Sequence, residues 1–251
     1  MHDVLKLIKD KKWPPTDIPA IYIDGFDHWT FSENIKRIDD TLKKIIKDCV
    51  QKKCLDVGFG NPILLQREVN LFLETTGLYI KSEKARTAGC RTAKILEGNC
   101  YQMPFQSEVF DILSAYALLH IIPDIPSFFE EAYRVLRKGG VLYTDGDRNI
   151  FLVKLIQLFN IIRYFITGKK ALLGYWRNIF KENELYHKQG IDYKQLKKLL
   201  YNIGFKKVVI TPWFSLKPEY NNKIIYRLII NLLSFFRIHF LHTHIQIVAY
   251  K

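Results

Sequence analysis

Between residues 52 and 147 short apolar runs alternate with helical stretches, and this alternation constrains the fold more than any other feature of the chain. KKCLDV (52–57), GLYI (77–80), AKILEGN (93–99), VFDILSAYALL (109–119) and VLYTDGD (141–147) read as buried strands. Helical segments separate them: PILLQREVNLFLETT (62–76), SEKARTAGC (82–90) and IPSFFEEAYRVLRKGG (125–140). The first opens on Pro62, a favoured first-turn residue, and the last stops at Gly139-Gly140. Strand–helix–strand units in series predict a parallel sheet with ligands at the carboxyl ends of its strands.

The flanks extend this pattern. SENIKRIDDTLKKIIKDC (32–49) is a capped helix on the amino-terminal side. Beyond Arg148 the alternation breaks into an apolar helix from 149, an amphipathic helix in DYKQLKKLLYNIGF (192–205) and a sixth strand in KKVVITPWF (206–214). A long apolar helix follows, NKIIYRLIINLLSFFRIHF (222–240), then HIQIVAYK (244–251), whose alternation is that of an antiparallel pair. With 48% hydrophobic residues and no repeats or low-complexity linkers, the chain reads as one α/β domain with a seven-stranded, mostly parallel sheet. Helices cover both of its faces, and helical insertions follow toward the carboxyl terminus.

LDVGFGNPILL (55–65) joins the first strand to its helix. Glycines at 58 and 60 allow a tight turn and a close approach of backbone to a ligand, which a Cβ would block. A dinucleotide loop needs G-x-G-x-x-G, and Ile63 stands at the last glycine position. Asp56 is either a ligand-binding acid or a loop-capping carboxylate. Cys49, Cys54, Cys90 and Cys100 have no zinc spacing, so they read as reduced thiols, and no metal is expected.

Four stretches occur in the order found in class I S-adenosylmethionine (SAM) dependent methyltransferases, and the chain resembles that family, specifically its type 11-like members. They are LDVGFG, GNCYQMPFQSEVFDIL, SAYALLHIIPD and EEAYRVLRKGGVLYTDG. The resemblance implies a Rossmann-like fold, SAM as cofactor and S-adenosylhomocysteine as product. It places Asp56, Gly58, Gly60, Asn61, Tyr79, Asn99, Cys100, Ser114 and Tyr116 at the cofactor, with Asp56 on the methionine amino group. It also divides the chain into an arm or lid (1–31), a cofactor-binding core (32–147) and a basic, helix-rich acceptor side (148–251).

The sequence departs from the family pattern at three places. Pro62 takes the third small position and removes one backbone donor. Tyr79 stands where the family grips the ribose with an acid, a loss that weakens binding about tenfold to a hundredfold. Asn99 replaces the adenine-side acid with an amide oxygen able to accept the same bond. His120 is the candidate base, since imidazole is the side chain most easily poised near neutral pH; its alternative is packing at the strand end. Asp145 and Asp147 follow strand five at the ligand edge, and His187 is a looser acceptor-side candidate. A non-catalytic binding protein that keeps the fold is the competing reading.

The formal charge of +13 lies entirely in the second part of the chain. Residues 1–147 carry 20 Lys/Arg and 21 Asp/Glu, a net of −1; residues 148–251 carry 18 and 4, a net of +14. Such asymmetry points to an anionic partner. In the helix of 224–240, Arg227, Asn231, Ser234 and Arg237 fall on one arc of roughly 120°. That pattern suits a helix lying on an anionic membrane surface, as does the less regular segment 150–167. A small lipid- or glycan-type acceptor is therefore expected. Nucleic acid fits less well, because the basic residues interleave with Ile, Leu and Phe, although RNA methylation stays an alternative. The amino terminus lacks an apolar core of signal-peptide length, so a cytoplasmic, membrane-peripheral protein is expected.

Overall fold

A computed structural model of the chain describes residues 32–47, 53–58, 63–68, 71–72, 74–79, 93–120, 122–149, 191–213 and 244–251. Seven strands make one sheet: β1 Lys53–Val57, β2 Glu74–Tyr79, β3 Lys94–Glu97, β4 Phe110–Tyr116, β5 Leu136–Arg148, β6 Lys207–Trp213 and β7 His244–Tyr250. Their order is β3-β2-β1-β4-β5-β7-β6. The first five run parallel, while β7 lies antiparallel between β5 and β6. Strand order reverses between β1 and β4, and ligands bind at the carboxyl ends beside such a switch point.

Four helices complete the described fold: α1 Ser32–Lys47, α2 Ile63–Glu68, α3 Ile125–Val135 and α4 Tyr193–Ile203. Every residue of β4 is buried, as expected of a central strand covered on both faces. On one face Leu55, Val57, Leu113 and Leu142 pack with Phe128, Phe129 and Ala132 of α3 and with Leu196 and Leu200 of α4. On the other, Cys54, Ile112 and Tyr143 meet Ile38, Leu42 and Ile45 of α1 and Leu64 of α2. The caps of α3 and α4 are local: Asp124 accepts from Ser127 N–H, and Asp192 accepts from the amides of Lys194 and Gln195.

Two boundaries differ from the sequence reading. The helix begun near Pro62 ends at Glu68, whose carbonyl receives the amides of both Leu71 and Phe72, and β2 starts at Glu74. Thr75 and Thr76 suit a strand and pair with Cys54 and Leu55. The helix expected to reach Gly139-Gly140 ends at Val135, because Leu136 turns extended and pairs with Phe110. Gly139, at φ +79, instead lets β5 turn against the end of the chain, where its amide donates to Lys251. The segments 82–90 and 150–190, the helix of 224–240 and the arm of 1–31 lie outside the described residues.

Candidate active site

Asp56 and Gly58 stand at the carboxyl end of β1. Gly58 adopts φ +75, and a Cβ there would come within 2.7 Å of Leu118 Cδ1. The positive φ favours glycine there, and any Cβ would also displace the end of the Leu118 side chain. Its amide donates to the carbonyl of Leu78 at 2.9 Å, which ties the turn to β2. Asp56 is fully buried, and among the described residues its carboxyl makes no well-formed hydrogen bond, with only the Leu65 amide and the Ser114 hydroxyl near enough to pull on it. A buried carboxylate so thinly supplied with donors is costly unless it is neutral or meets a cation.

Beneath Asp56 lies a second buried acid that the motif gives no hint of. Glu68, the last residue of α2, is 0% exposed, and among the described residues its oxygens make no well-formed hydrogen bond, with Ser114 and Cys54 as the nearest polar side chains. Burial, then the Glu68 charge, pushes Asp56 well above the usual carboxylate range, against weaker pulls from the Leu65 amide and Ser114. Burial likewise lifts Glu68 to about 7. The only sequence signal for Glu68 was its place four residues after Leu64, on the inward face of the helix. Ser114 sits level with Asp56 on β4; its hydroxyl donates to the Leu55 carbonyl at 3.4 Å, so it belongs to the sheet face under α1 and α2.

At the ends of β2 and β3 the structure brings Tyr79 and Asn99 together. The Tyr79 carbonyl accepts the Gly98 amide at 2.9 Å, and burial raises the half-covered phenol. The Asn99 side-chain oxygen accepts the Tyr101 amide at 2.9 Å. A carbonyl has two lone pairs, so one remains for a ligand. Cys100 is buried and its thiol is pushed up to about 12, chiefly by desolvation, which makes it inert.

The ends of β4 and β5 hold the remaining candidates. His120 and Asp147, 27 residues apart in sequence, are joined by a 2.9 Å contact between Nδ1 and Oδ1. Asp145 is a different object. It pairs with Arg37 of α1 and accepts from Tyr143 O–H, Trp213 Nε1, the Gly146 amide and Gln246 Nε2. The Arg37 guanidinium also lies 3.7 Å from the Trp213 ring centre. A carboxylate with so many donors anchors structure, so Asp145 holds α1 to the sheet while Asp147 faces His120. Tyr116 is buried beside this hub, and desolvation, then the Asp145 charge, raises its phenol. Arg37 was not singled out in the sequence because its partner is 108 residues away. Gly60, Asn61, Pro62 and His187 lie outside the described residues. Among those described, no group of three or more His, Cys, Asp or Glu is placed to hold a metal, and no helix is long and apolar enough to cross a membrane.

Comparison with known proteins agrees with this architecture. Residues 55–144 match the family described as a methyltransferase domain. A demethylmenaquinone methyltransferase of Bacillus cytotoxicus is 22% identical over 87% of this chain and 96% of its own. One from Geobacillus sp. is 29% identical over 72% and 82%. Among solved structures, a SAM-dependent methyltransferase of Archaeoglobus fulgidus superposes with a TM-score of 0.57 at 15% identity, over 86% of this chain and 94% of that one. Phosphoethanolamine N-methyltransferase 2 of Haemonchus contortus, in complex with SAM, gives 0.56 at 12% identity over 86% and 52%. At those identities the structures speak for the fold alone. The sheet order, the domain match across its ligand edge and relatives aligned over most of its length agree on the fold of a class I SAM-dependent methyltransferase, with residues 55–144 as its methyltransferase domain.

Proposed function

We propose that the protein transfers the methyl group of SAM to an oxygen or carbon of a small lipid- or glycan-type acceptor, at the cytoplasmic face of a membrane. The observation that carries the cofactor assignment is Asp56, a buried carboxyl thinly supplied with donors, beside a glycine turn at positive φ. An ammonium such as the cofactor's methionine end supplies the missing cation, and Gly58 lets backbone approach it. Tyr79 offers one hydroxyl toward the ribose, the free lone pair of Asn99 suits an adenine amino group, and Tyr116 walls the acceptor side. Gly60 and Asn61 continue the loop, while Cys100 and Ser114 back the cofactor from within the core. When bound, the cofactor supplies an electrophilic methyl group.

What the chain itself adds is position and a base. His120 takes the proton that an oxygen or carbon nucleophile must lose. Relatives named for demethylmenaquinone methyl transfer support a small-molecule acceptor. The basic, apolar segments 150–167 and 224–240 support a membrane-borne one.

Calorimetric titration with SAM and S-adenosylhomocysteine tests the cofactor assignment. Saturable binding is expected, weakened at least tenfold in Asp56→Asn, since a hydrogen bond to a charged group contributes about 1.5–3 kcal/mol. No binding at millimolar ligand would leave a non-catalytic protein on a methyltransferase fold.

A further inference from the structure

His120 approaches Asp147 with two groups at once. Its ring Nδ1 lies 2.9 Å from Asp147 Oδ1, and its own backbone amide donates to the same oxygen at 3.1 Å. The side chains are 8% and 1% exposed, so water competes little for this contact. Where that oxygen, already accepting a backbone N–H, accepts from the ring as well, the ring proton is on Nδ1 and the lone pair on Nε2. The other oxygen, Oδ2, is buried without a partner. Asp147 is therefore a poorly solvated carboxyl whose nearest prospective counter-charge is the imidazole itself.

We propose that Asp147 is a positioning residue: it fixes His120 in the Nδ1–H tautomer and stabilises the imidazolium formed when Nε2 accepts a proton. The inference rests on His120 being the base. In the step it serves, the acceptor's O–H or C–H bond breaks and its proton goes to Nε2. The electron pair left on the acceptor forms the new bond to the methyl carbon, whose bond to sulfur breaks with its pair remaining on sulfur. The imidazolium later returns the proton to solvent. Ionised Asp147 then faces a charge that appears only during the step, which makes the stabilisation specific to the proton-accepted state.

Other titratable and charged groups at this end are Asp145 on β5, Tyr116 on β4, Arg37 on α1 and His244 on β7. Arg37 is engaged with Asp145, so its charge is not directed at Asp147. Burial, and after it the Asp145 charge, disfavour ionised Asp147, and the amides of His120 and Leu119 oppose them. An imidazolium adds the larger compensation because it sits at contact distance.

The test is nitrogen NMR of the full chain labelled at histidine, with S-adenosylhomocysteine present, on wild type, His120→Gln and Asp147→Asn. The His120→Gln spectrum assigns the resonance. In wild type the proton is expected on Nδ1. An asparagine that turns its amide N–H₂ to the ring switches the proton to Nε2 and lowers the His120 pKa by about 1–3 units, the size of a lost opposite charge. An Nε2–H signal in wild type would overturn the proposal even if the variant failed to fold. So would an unchanged tautomer and pKa in a folded Asp147→Asn, because asparagine mimics a protonated carboxyl. Failure of S-adenosylhomocysteine to bind would sink the functional reading while leaving the pair's tautomer measurable in the free protein.

Discussion

At the scale of single residues, the site is a set of carboxyls with different surroundings. Asp145 is satisfied by donors from four elements, Asp147 mainly by His120, and Asp56 and Glu68 only by weak pulls from an amide, a hydroxyl and a thiol. No described cation offsets the last pair: Arg67 is held by Asp39 and Arg37 by Asp145, while Cys54, Thr75 and Ser114 are uncharged neighbours. Folding raises Glu68 from 4.5 to about 7, so the folded protein holds a proton that the unfolded chain has lost between those values. The sign follows. The protonated acid's contribution is complete below about 4.5 and is lost as pH rises through about 7. Without ligand, urea unfolding should show stability declining across that window, by up to about 1.4 kcal/mol per pH unit for each proton involved. Glu68→Gln, which mimics the neutral acid, should flatten the decline. An equal decline in both proteins would show that Glu68 ionises normally. Asp56 was legible in the sequence because strand–acid–glycine is a local pattern. Glu68 was not, because only the packing of α2 onto β1 brings the acids together.

At the scale of elements, alternation located all seven strands, while ends set by pairing were missed. β2 begins three residues before GLYI because Glu74, Thr75 and Thr76 have partners in β1, which no local propensity reveals. The same limit hid the role of α1. Its apolar stripe is visible in the sequence, but the clamp that fixes its position joins Arg37 to a strand 108 residues on. Ile38, Leu42 and Ile45 supply the burial; Arg37, between Asp145 and the Trp213 ring, supplies the register. Removing one partner of a buried ion pair strands the other charge, at about 3–5 kcal/mol. Here Asp145 keeps four further donors, so Arg37→Met should cost about 2–3 kcal/mol in chemical denaturation, below that range. A change under about 0.5 kcal/mol, the size of an ordinary surface substitution, would mean that α1 is held by apolar contacts alone. Gly58 makes a complementary case. Gly58→Ala meets both a left-handed backbone and Leu118, so it should lower stability by about 1–3 kcal/mol and weaken S-adenosylhomocysteine binding.

At the scale of the whole molecule, charge separates what the sheet unites. The first 147 residues are nearly neutral, whereas the rest carry +14, and that part contributes β6 and β7 to the same sheet. The described strands of that part are thus built onto the same sheet, with β7 beside the strand that carries Asp147. If its partner is an anionic membrane, attraction and apolar insertion should act together. Each Lys or Arg near such a surface contributes about 1 kcal/mol, screened over a Debye length of about 8 Å at physiological salt. The protein should float with vesicles containing phosphatidylglycerol and stay behind with pure phosphatidylcholine. Partial release at about 0.5 M salt is expected, since burial of Ile, Leu and Phe is not screened. A nucleic-acid partner makes the opposite prediction: no flotation with either vesicle, and retention on RNA that falls steeply and completely with salt. Replacing Arg227 and Arg237 with glutamate removes two cations from the polar arc that the sequence of 224–240 predicts, and should abolish flotation. Because neither residue belongs to the proposed cofactor site, S-adenosylhomocysteine affinity should be unchanged. Loss of both together would trace the defect to folding, and unaltered flotation would place the membrane contact elsewhere.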